Sequence, residues 1–290
     1  MPSISDVTLA NPRAERVKQV RALSGRPARS RHGQFLVEGP QGVREAVRFA
    51  PDAVRDVYLT PATAERYPEI LSAAVDSGVY VHLGTREVLE AMSPDAQGVL
   101  AVVRTRTTGL ADALQALPAD RPLLVAVLAH VRDPGNAGTV IRAADAAGAG
   151  LVVLAGDSVD VHNPKVVRAT AGSLFHVPVT SGTSLPDAVR ELRAAGCTVL
   201  AADGSGEHDL DELLDVAGDS SRPAQERPAA TPDLAASTAW VFGNEAWGLP
   251  DDDRALADAV VRVPIRGRGE SLNLATAATV CLYASSRAQR

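Results

Sequence analysis

The chain has 290 residues, is 46% apolar and 22% charged, and carries a formal net charge of −6. This is an ordinary globular balance, and the length suits two domains. No run of eighteen apolar residues occurs, so no membrane span is expected. The first stretch, MPSISDVTLANPRAERVKQ, lacks the apolar segment of a secretory signal, which fits a cytosolic location. The two cysteines, Cys197 and Cys281, each sit in an apolar stretch and are read as buried free thiols. The six histidines show no metal-ligand spacing, so no metal is expected.

Charge is unevenly distributed. Seven basic residues (Arg13, Arg16, Lys18, Arg21, Arg26, Arg29 and Arg31) fall between Asn11 and Gly33, opposed only by Glu15. Such a segment can contact phosphates even on an acidic protein. It can equally be a solvated, arginine-rich helix face. Val17, Val20 and Leu23 are spaced as one face of an amphipathic helix over 13–24. GRPARSRHG then reads as a breaker-rich basic loop. QFLVEG, VRDVYLT, VYVHLG and GVLAVVRT read as strands. PQGVREAVRFA, TAERYPEILSAAVDSG and TREVLEAMS between them read as helices. This alternation predicts a small α/β domain over 1–105. Residues 106–120 read as a linker with a short helix.

The second domain is expected over 121–290. PLLVAVLAHV is a fully apolar run, as suits a parallel strand buried on both faces. The loop RDPGNAG and the helix TVIRAADAAG follow, then further strands at LVVLAG, HVPVTSG and CTVLAAD. NPKVVRATAGSLF and SLPDAVRELRAAG are helical between them. Residues 206–238 lack periodicity, and SSRPAQERPAATPD within them is expected to be mobile. The remainder, from Ala239 to Tyr283, holds two apolar runs. One ends in the loop GNEAWGLP and the other in RGRGES, which feeds a small-residue helix from about Leu272 to Ser286. Ligands in open parallel sheets bind outside the carboxyl ends of strands, so these loops are the candidate site.

Three loops at predicted strand ends carry recognisable patterns. RDPGNAGTVIR holds Asn136, Gly138 and Arg142 in N-x-G-x-x-x-R spacing. VFGNEAWGLP holds Gly243, Glu245, Gly248 and Leu249 in G-x-E-x-x-G-L spacing. VPIRGRGESLN holds Val263, Pro264, Ile265, Gly267, Ser271, Leu272 and Asn273. Together they resemble the SpoU family of RNA ribose 2′-O-methyltransferases, within the SPOUT class. The resemblance covers about 121–288. FLVEGPQGVREAV also resembles the substrate-binding domain that precedes many such enzymes.

The resemblance implies an α/β fold whose carboxyl-terminal parallel sheet contains a deep trefoil knot, and a homodimer with the site completed across the interface. It implies S-adenosylmethionine as cofactor, with Gly243, Val263, Ile265, Gly267 and Leu272 around it. It implies Asn136, Arg142, Glu245, Ser271 and Asn273 as catalytic residues, and an RNA substrate, ribosomal before transfer RNA. A guanidinium keeps its proton, so Arg142 is read as a phosphate clamp or oxyanion stabiliser rather than a base. Glu245 is read as positioning Arg142 or Asn136. Taken singly, Asn136 and Asn273 also fit plain helix capping, Arg142 a surface helix residue, and Trp247 a packing residue. A Rossmann-type nucleotide enzyme fits worse, since DPGNAG lacks the G-x-G-x-x-G pattern after the first strand. A non-catalytic RNA-binding protein of the same fold would not require the whole polar set.

Overall fold

The computed structural model describes residues 9–217 and 231–290. The segment expected to be mobile therefore lies, over 218–230, outside the described residues. The chain forms two compact units. One comprises residues 1–106 and 160–176, and the other residues 107–159 and 177–290.

The first unit opens with α1 (Glu15–Ala22), α2 (Arg26–His32), β1 (Gln34–Glu38), α3 (Pro40–Phe49) and β2 (Val54–Leu59). It continues with α4 (Pro61–Arg66), α5 (Pro68–Asp76), β3 (Tyr80–Leu83), α6 (Arg86–Met92) and β4 (Val99–Arg104). The sheet order is β1-β4-β2-β3, antiparallel except for the β2–β3 pair. One face packs α3 and α5 through Val43, Val47 and Ile70, and the other packs α1 and α6 through Val17, Val20 and Leu89. The single helix expected over 63–78 is two, broken at Tyr67–Pro68, because proline removes a helical N–H and restricts the residue before it.

The stretch expected as a basic loop is helical. Pro27 sits in the first turn of α2, where its missing N–H is no loss, and Gly33 closes the helix in a left-handed conformation. The helix is tied down by Arg29, which is only 5% exposed. Its guanidinium donates to Asp160 Oδ2 at 2.7 and 3.1 Å and to the carbonyls of Leu23 and Ser24. Arg29 is therefore removed from the candidate phosphate contacts, because burial and these four bonds use its donors internally. The other six basic residues of the cluster are exposed.

Asp160 marks a second departure from expectation. The helix read inside the second domain, α9 (Pro164–Ala169), packs on β1 and belongs to the first unit with the short turn Ser173–Phe175. Arg168 pairs with Glu38, a buried carboxylate that also accepts from Ser93. The chain thus leaves the second unit after Val159 and returns at Val177.

The second unit contains α7 (Leu110–Gln115), β5 (Leu124–Ala129), α8 (Pro134–Ala146), β6 (Leu151–Ala155), β7 (Val179–Thr183), α10 (Leu185–Ala194) and β8 (Thr198–Ala202). It ends with β9 (His208–Asp209), α11 (Leu210–Val216), β10 (Thr238–Phe242), α12 (Asp251–Arg254), β11 (Ala259–Arg262) and α13 (Leu274–Ala288). The seven strands are ordered β7-β6-β5-β10-β8-β11-β9, and every pair is parallel. All six residues of β5 and all five of β10 are buried, as the unbroken apolar runs require. Parallel pairing puts every carboxyl end on one edge. Cys197 and Cys281 are free and buried, and burial pushes the Cys197 thiol up to about 11. Among the described residues no helix is long and apolar enough to cross a membrane.

Burial alone would raise the Asp160 carboxyl, but the hydrogen bonds from Arg29 outweigh it and hold it below its ordinary 3.8. The folded state therefore binds that proton less readily than the unfolded chain. The pair's stabilisation is present above about pH 4 and is lost as pH falls through the depressed folded value. Arg29→Ala should lower stability by about 2–4 kcal/mol, since it leaves a half-buried carboxylate unpaired. Thermal melts from pH 3 to 7 check this. The deficit should be full at neutral pH and shrink towards the acid end, where Asp160 is protonated in both proteins.

Candidate active site

The carboxyl edge of the parallel sheet holds a cleft of about 300 Å³, within the second unit. Its floor comes from the strand ends: Ala202 and Asp203 at β8, Phe242 and Gly243 at β10, Val261 and Val263 at β11. Ile265, Leu272, Leu274 and Ala277 close it from the last loop and the start of α13, and Asn244, Glu245 and Glu270 bring polar atoms. An apolar slot with few polar groups is the usual form of a small-molecule site.

Four of the five expected cofactor contacts, Gly243, Val263, Ile265 and Leu272, line this cleft. Gly267 does not. It stands in the open loop, with nothing within 4 Å of where a Cβ would be. Gly243 has a different importance from the one its position suggests. A Cβ there would lie 2.4 Å from the carbonyl of Gly248 and 2.6 Å from the Leu249 nitrogen, so any side chain would break the loop rather than merely fill the cleft.

That loop is closed on itself. Asn244 and Gly248 exchange two backbone hydrogen bonds of 2.9 Å, and Gly248 takes a positive φ of 67° that glycine tolerates. The Asn244 side chain, missed by sequence reasoning, is buried. Its Nδ2 donates to the His130 carbonyl at 2.7 Å and its Oδ1 accepts from Ala246 N–H at 2.8 Å. His130 itself adopts φ 56°, uncommon for a residue with a side chain, and presents that carbonyl to β10's loop. Asp203 was also missed. Burial would raise its carboxyl, but hydrogen bonds from Ser205 and the nearby Arg254 hold it below the usual range. Its only signal in the sequence is its place at the end of a strand.

The polar residues expected to be catalytic divide into two groups. Asn136, Glu245 and Asn273 meet. Glu245 Oε1 accepts from Asn136 Nδ2 and from the Asp133 backbone N–H, both at 3.3 Å. Asn136 Oδ1 accepts from Asn273 Nδ2 at 3.0 Å. Asn273 Oδ1 accepts from the N–H groups of Ala275 and Thr276, so it is both the N-cap of α13 and part of the network. A carboxylate only accepts, so it dictates which way each amide faces along the chain. Glu245 thus positions Asn136, not Arg142. The α8 helix starts earlier than expected, with Asp133 as its cap and Pro134 in its first turn, which puts Asn136 on the helix. Ser271 lines the cleft and is exposed. Arg142 is exposed on α8 and, among the described residues, makes no hydrogen bond to this network. Six residues separate it from Asn136, about 9 Å along a helix axis.

Trp247 is not packed. It is 53% exposed, and the Arg132 guanidinium lies 5.5 Å from its ring centre.

The pattern for the SpoU rRNA Methylase family matches residues 123–283, which takes in this whole edge. The chain belongs to that family. An MRM3-like substrate binding domain matches residues 14–101 of the first unit. The 23S rRNA (guanosine(2553)-2′-O)-methyltransferase RlmP of Bacillus subtilis is 32% identical, over 93% of this chain and 95% of its own. A 23S rRNA (uridine(2479)-2′-O)-methyltransferase of Streptomyces viridochromogenes is 31% identical, over 96% of each chain. The crystal structure of the SpoU methyltransferase AviRb from Streptomyces viridochromogenes in complex with AdoMet covers 95% of this chain and 98% of its own. Its TM-score is 0.76 at 30% identity.

The cleft fits a cofactor such as the AdoMet that the Streptomyces viridochromogenes structure holds. Phe242, Val261, Ile265 and Leu272 offer apolar surface, while Asp203, Glu245 and Glu270 offer carboxylates near which a sulfonium and an amino group are favoured. Ala277 lies on α13, where a larger side chain enters the cleft without altering backbone geometry. Ala277→Phe should weaken S-adenosylmethionine binding by about tenfold or more, measured by calorimetry, with a core cost of about 1–3 kcal/mol at most. Gly243→Ala should instead unfold the loop and lower the melting temperature. Unchanged affinity in Ala277→Phe would place the cofactor elsewhere.

Proposed function

We propose that this protein methylates the 2′-oxygen of a ribose in 23S ribosomal RNA. The observation that carries the reading is the Glu245–Asn136–Asn273 network at the lip of the cofactor cleft. Glu245 lines that cleft and ties it to Asn136 and Asn273, which supports seating the ribose hydroxyl beside them. Relatives matched over nearly the whole chain act on 23S rRNA, one at a guanosine and one at a uridine.

Bound S-adenosylmethionine supplies a methyl group already activated on sulfur. The chain's own residues do the remainder. The fixed amide of Asn136 keeps one N–H free of Glu245, and this donor orients the ribose oxygen. Glu245 Oε2 offers an acceptor to the hydroxyl proton beside it. Arg142, exposed and permanently charged further along α8, clamps a backbone phosphate of the RNA. Ser271 stands at the cleft wall as a further donor. Exposed Arg13, Arg16, Lys18, Arg21, Arg26 and Arg31 supply phosphate contacts from the first unit.

A homodimer belongs to this reading. Val280 and Tyr283 of α13 are exposed, and a shallow groove beside Val280 runs to Asn136 and Asn273. A second copy seated there would bring its own groups to the network. The knot implied by the motifs also belongs here. Its support is the return of α13 onto β10, β5 and α8 after β11 has passed to the far side of β8. A cytoplasmic location follows from a ribosomal substrate.

The test is transfer of labelled methyl from S-adenosylmethionine to a 23S rRNA transcript, with the ribose mapped afterwards. No label on the ribose would overturn the reading. Arg142→Ala should slow single-turnover transfer by about 100-fold or more and change stability by roughly 1 kcal/mol or less, as for a surface site. Arg142→Lys should stay impaired, since a point charge does not reproduce the planar fork. For the basic helices, replacing Arg13, Arg21, Arg26 and Arg31 together by Gln should weaken RNA binding and flatten its salt dependence. These substitutions are a cleaner probe than removing residues 1–105, which would strip α9 of its packing partner β1.

A further inference from the structure

The chain is poor in aromatic residues, with only two tryptophans. Trp240 is fully buried in β10, where its Nε1 donates to Ser285 at 2.9 Å. Trp247 is the opposite case. It sits within the closed loop of Asn244 and Gly248, two residues after Glu245, and more than half of its surface is exposed. Exposing an indole forgoes a large burial gain, and here it happens on a loop held rigid by a buried asparagine and paired backbone groups. A rigid, exposed aromatic is a ready contact surface, because little order is lost when something covers it.

Its neighbour indicates what that something is. The Arg132 guanidinium lies over the Trp247 ring at 5.5 Å. Arg132 directly precedes Asp133, whose backbone N–H donates to Glu245. The pair is thus joined at both ends to the network that orients the ribose oxygen. An apolar partner would gain nothing from a cation on the ring. A flat base attached to a phosphate gains from both, by stacking on indole and guanidinium and by charge.

Resting on the reading above, we propose that Trp247 and Arg132 form a stacking platform for an unpaired nucleobase, that of the methylated nucleotide or its immediate neighbour. The base lies on the indole while its ribose faces Asn136 and Glu245. A base stacked in this way cannot also be stacked within a duplex, so the platform selects single-stranded targets.

The experiment uses the full-length protein, a 23S rRNA transcript and tryptophan emission. With Trp240 buried, the emission that acrylamide quenches comes from Trp247, and it should vanish in Trp247→Phe. Adding the transcript should quench or shield this component. Trp247→Ala should raise KM for the RNA by about 5- to 150-fold, the range for losing one base–aromatic stack. Trp247→Phe should recover much of that loss. Cofactor affinity and melting temperature should stay close to wild type in both variants. Bound RNA that leaves the Trp247 emission unchanged, or a Trp247→Ala protein with unaltered KM, would overturn the platform. So would emission that tracks protein concentration instead of RNA, which would assign Trp247 to a contact between copies. Absence of methyl transfer by the wild type would overturn the methyltransferase reading, while the emission measurement would still decide the platform.

Discussion

One buried amide holds the site together. The Asn244 side chain joins the carboxyl ends of β5 and β10, donating to the His130 carbonyl and accepting from Ala246. Strand pairing ends at Phe242, so no ladder bond fixes the residues beyond it. The Asn244 bonds and the reciprocal Asn244–Gly248 pair take over that task. Because the loop is set, Glu245 reaches Asn136 and Asp133, and Gly243 stays open to the cleft. A buried polar group left without its partner costs about 1–3 kcal/mol, so this arrangement is held as a whole or lost as a whole.

The same economy recurs at the start of α13. Asn273 caps the helix and in the same orientation donates to Asn136. Capping and chemistry are often treated as alternative explanations of an asparagine at a helix start. Here a single side chain caps the helix and joins the network, since its oxygen accepts from α13 and its nitrogen donates to Asn136. Asn136 is similarly placed by helix formation, because the Asp133 cap and Pro134 start α8 two residues before it.

The first unit has its own organising pair. Arg29 and Asp160 come from positions 131 apart, and Arg168 with Glu38 from positions 130 apart. These pairs draw a stretch bounded on both sides by the second unit into the packing of the first. Each involves a buried member, so each is stronger and less screened than the surface pairs elsewhere in the chain.

Much of the fold was legible in residue order alone. Unbroken apolar runs such as PLLVAVLAHV and alternating helix and strand periods identified nearly every strand and most helices, because burial on one or two faces imposes those periods directly. The three loop patterns located the cleft and singled out Asn136, Glu245 and Asn273, whose side chains the structure joins by hydrogen bonds. What residue order could not contain was decided by partners far away in the chain. GRPARSRHG reads as a loop until Asp160 binds Arg29, and Arg29 reads as a phosphate contact until that burial is seen. Helix α9 reads as part of the second domain until β1 covers it. Asn244 and Asp203 carry no periodicity and no motif, and their roles exist only once β5, β8 and β10 lie side by side. Trp247 reads as core because tryptophan usually is, and only the tertiary structure, by closing its loop without covering the ring, left it exposed beside the site.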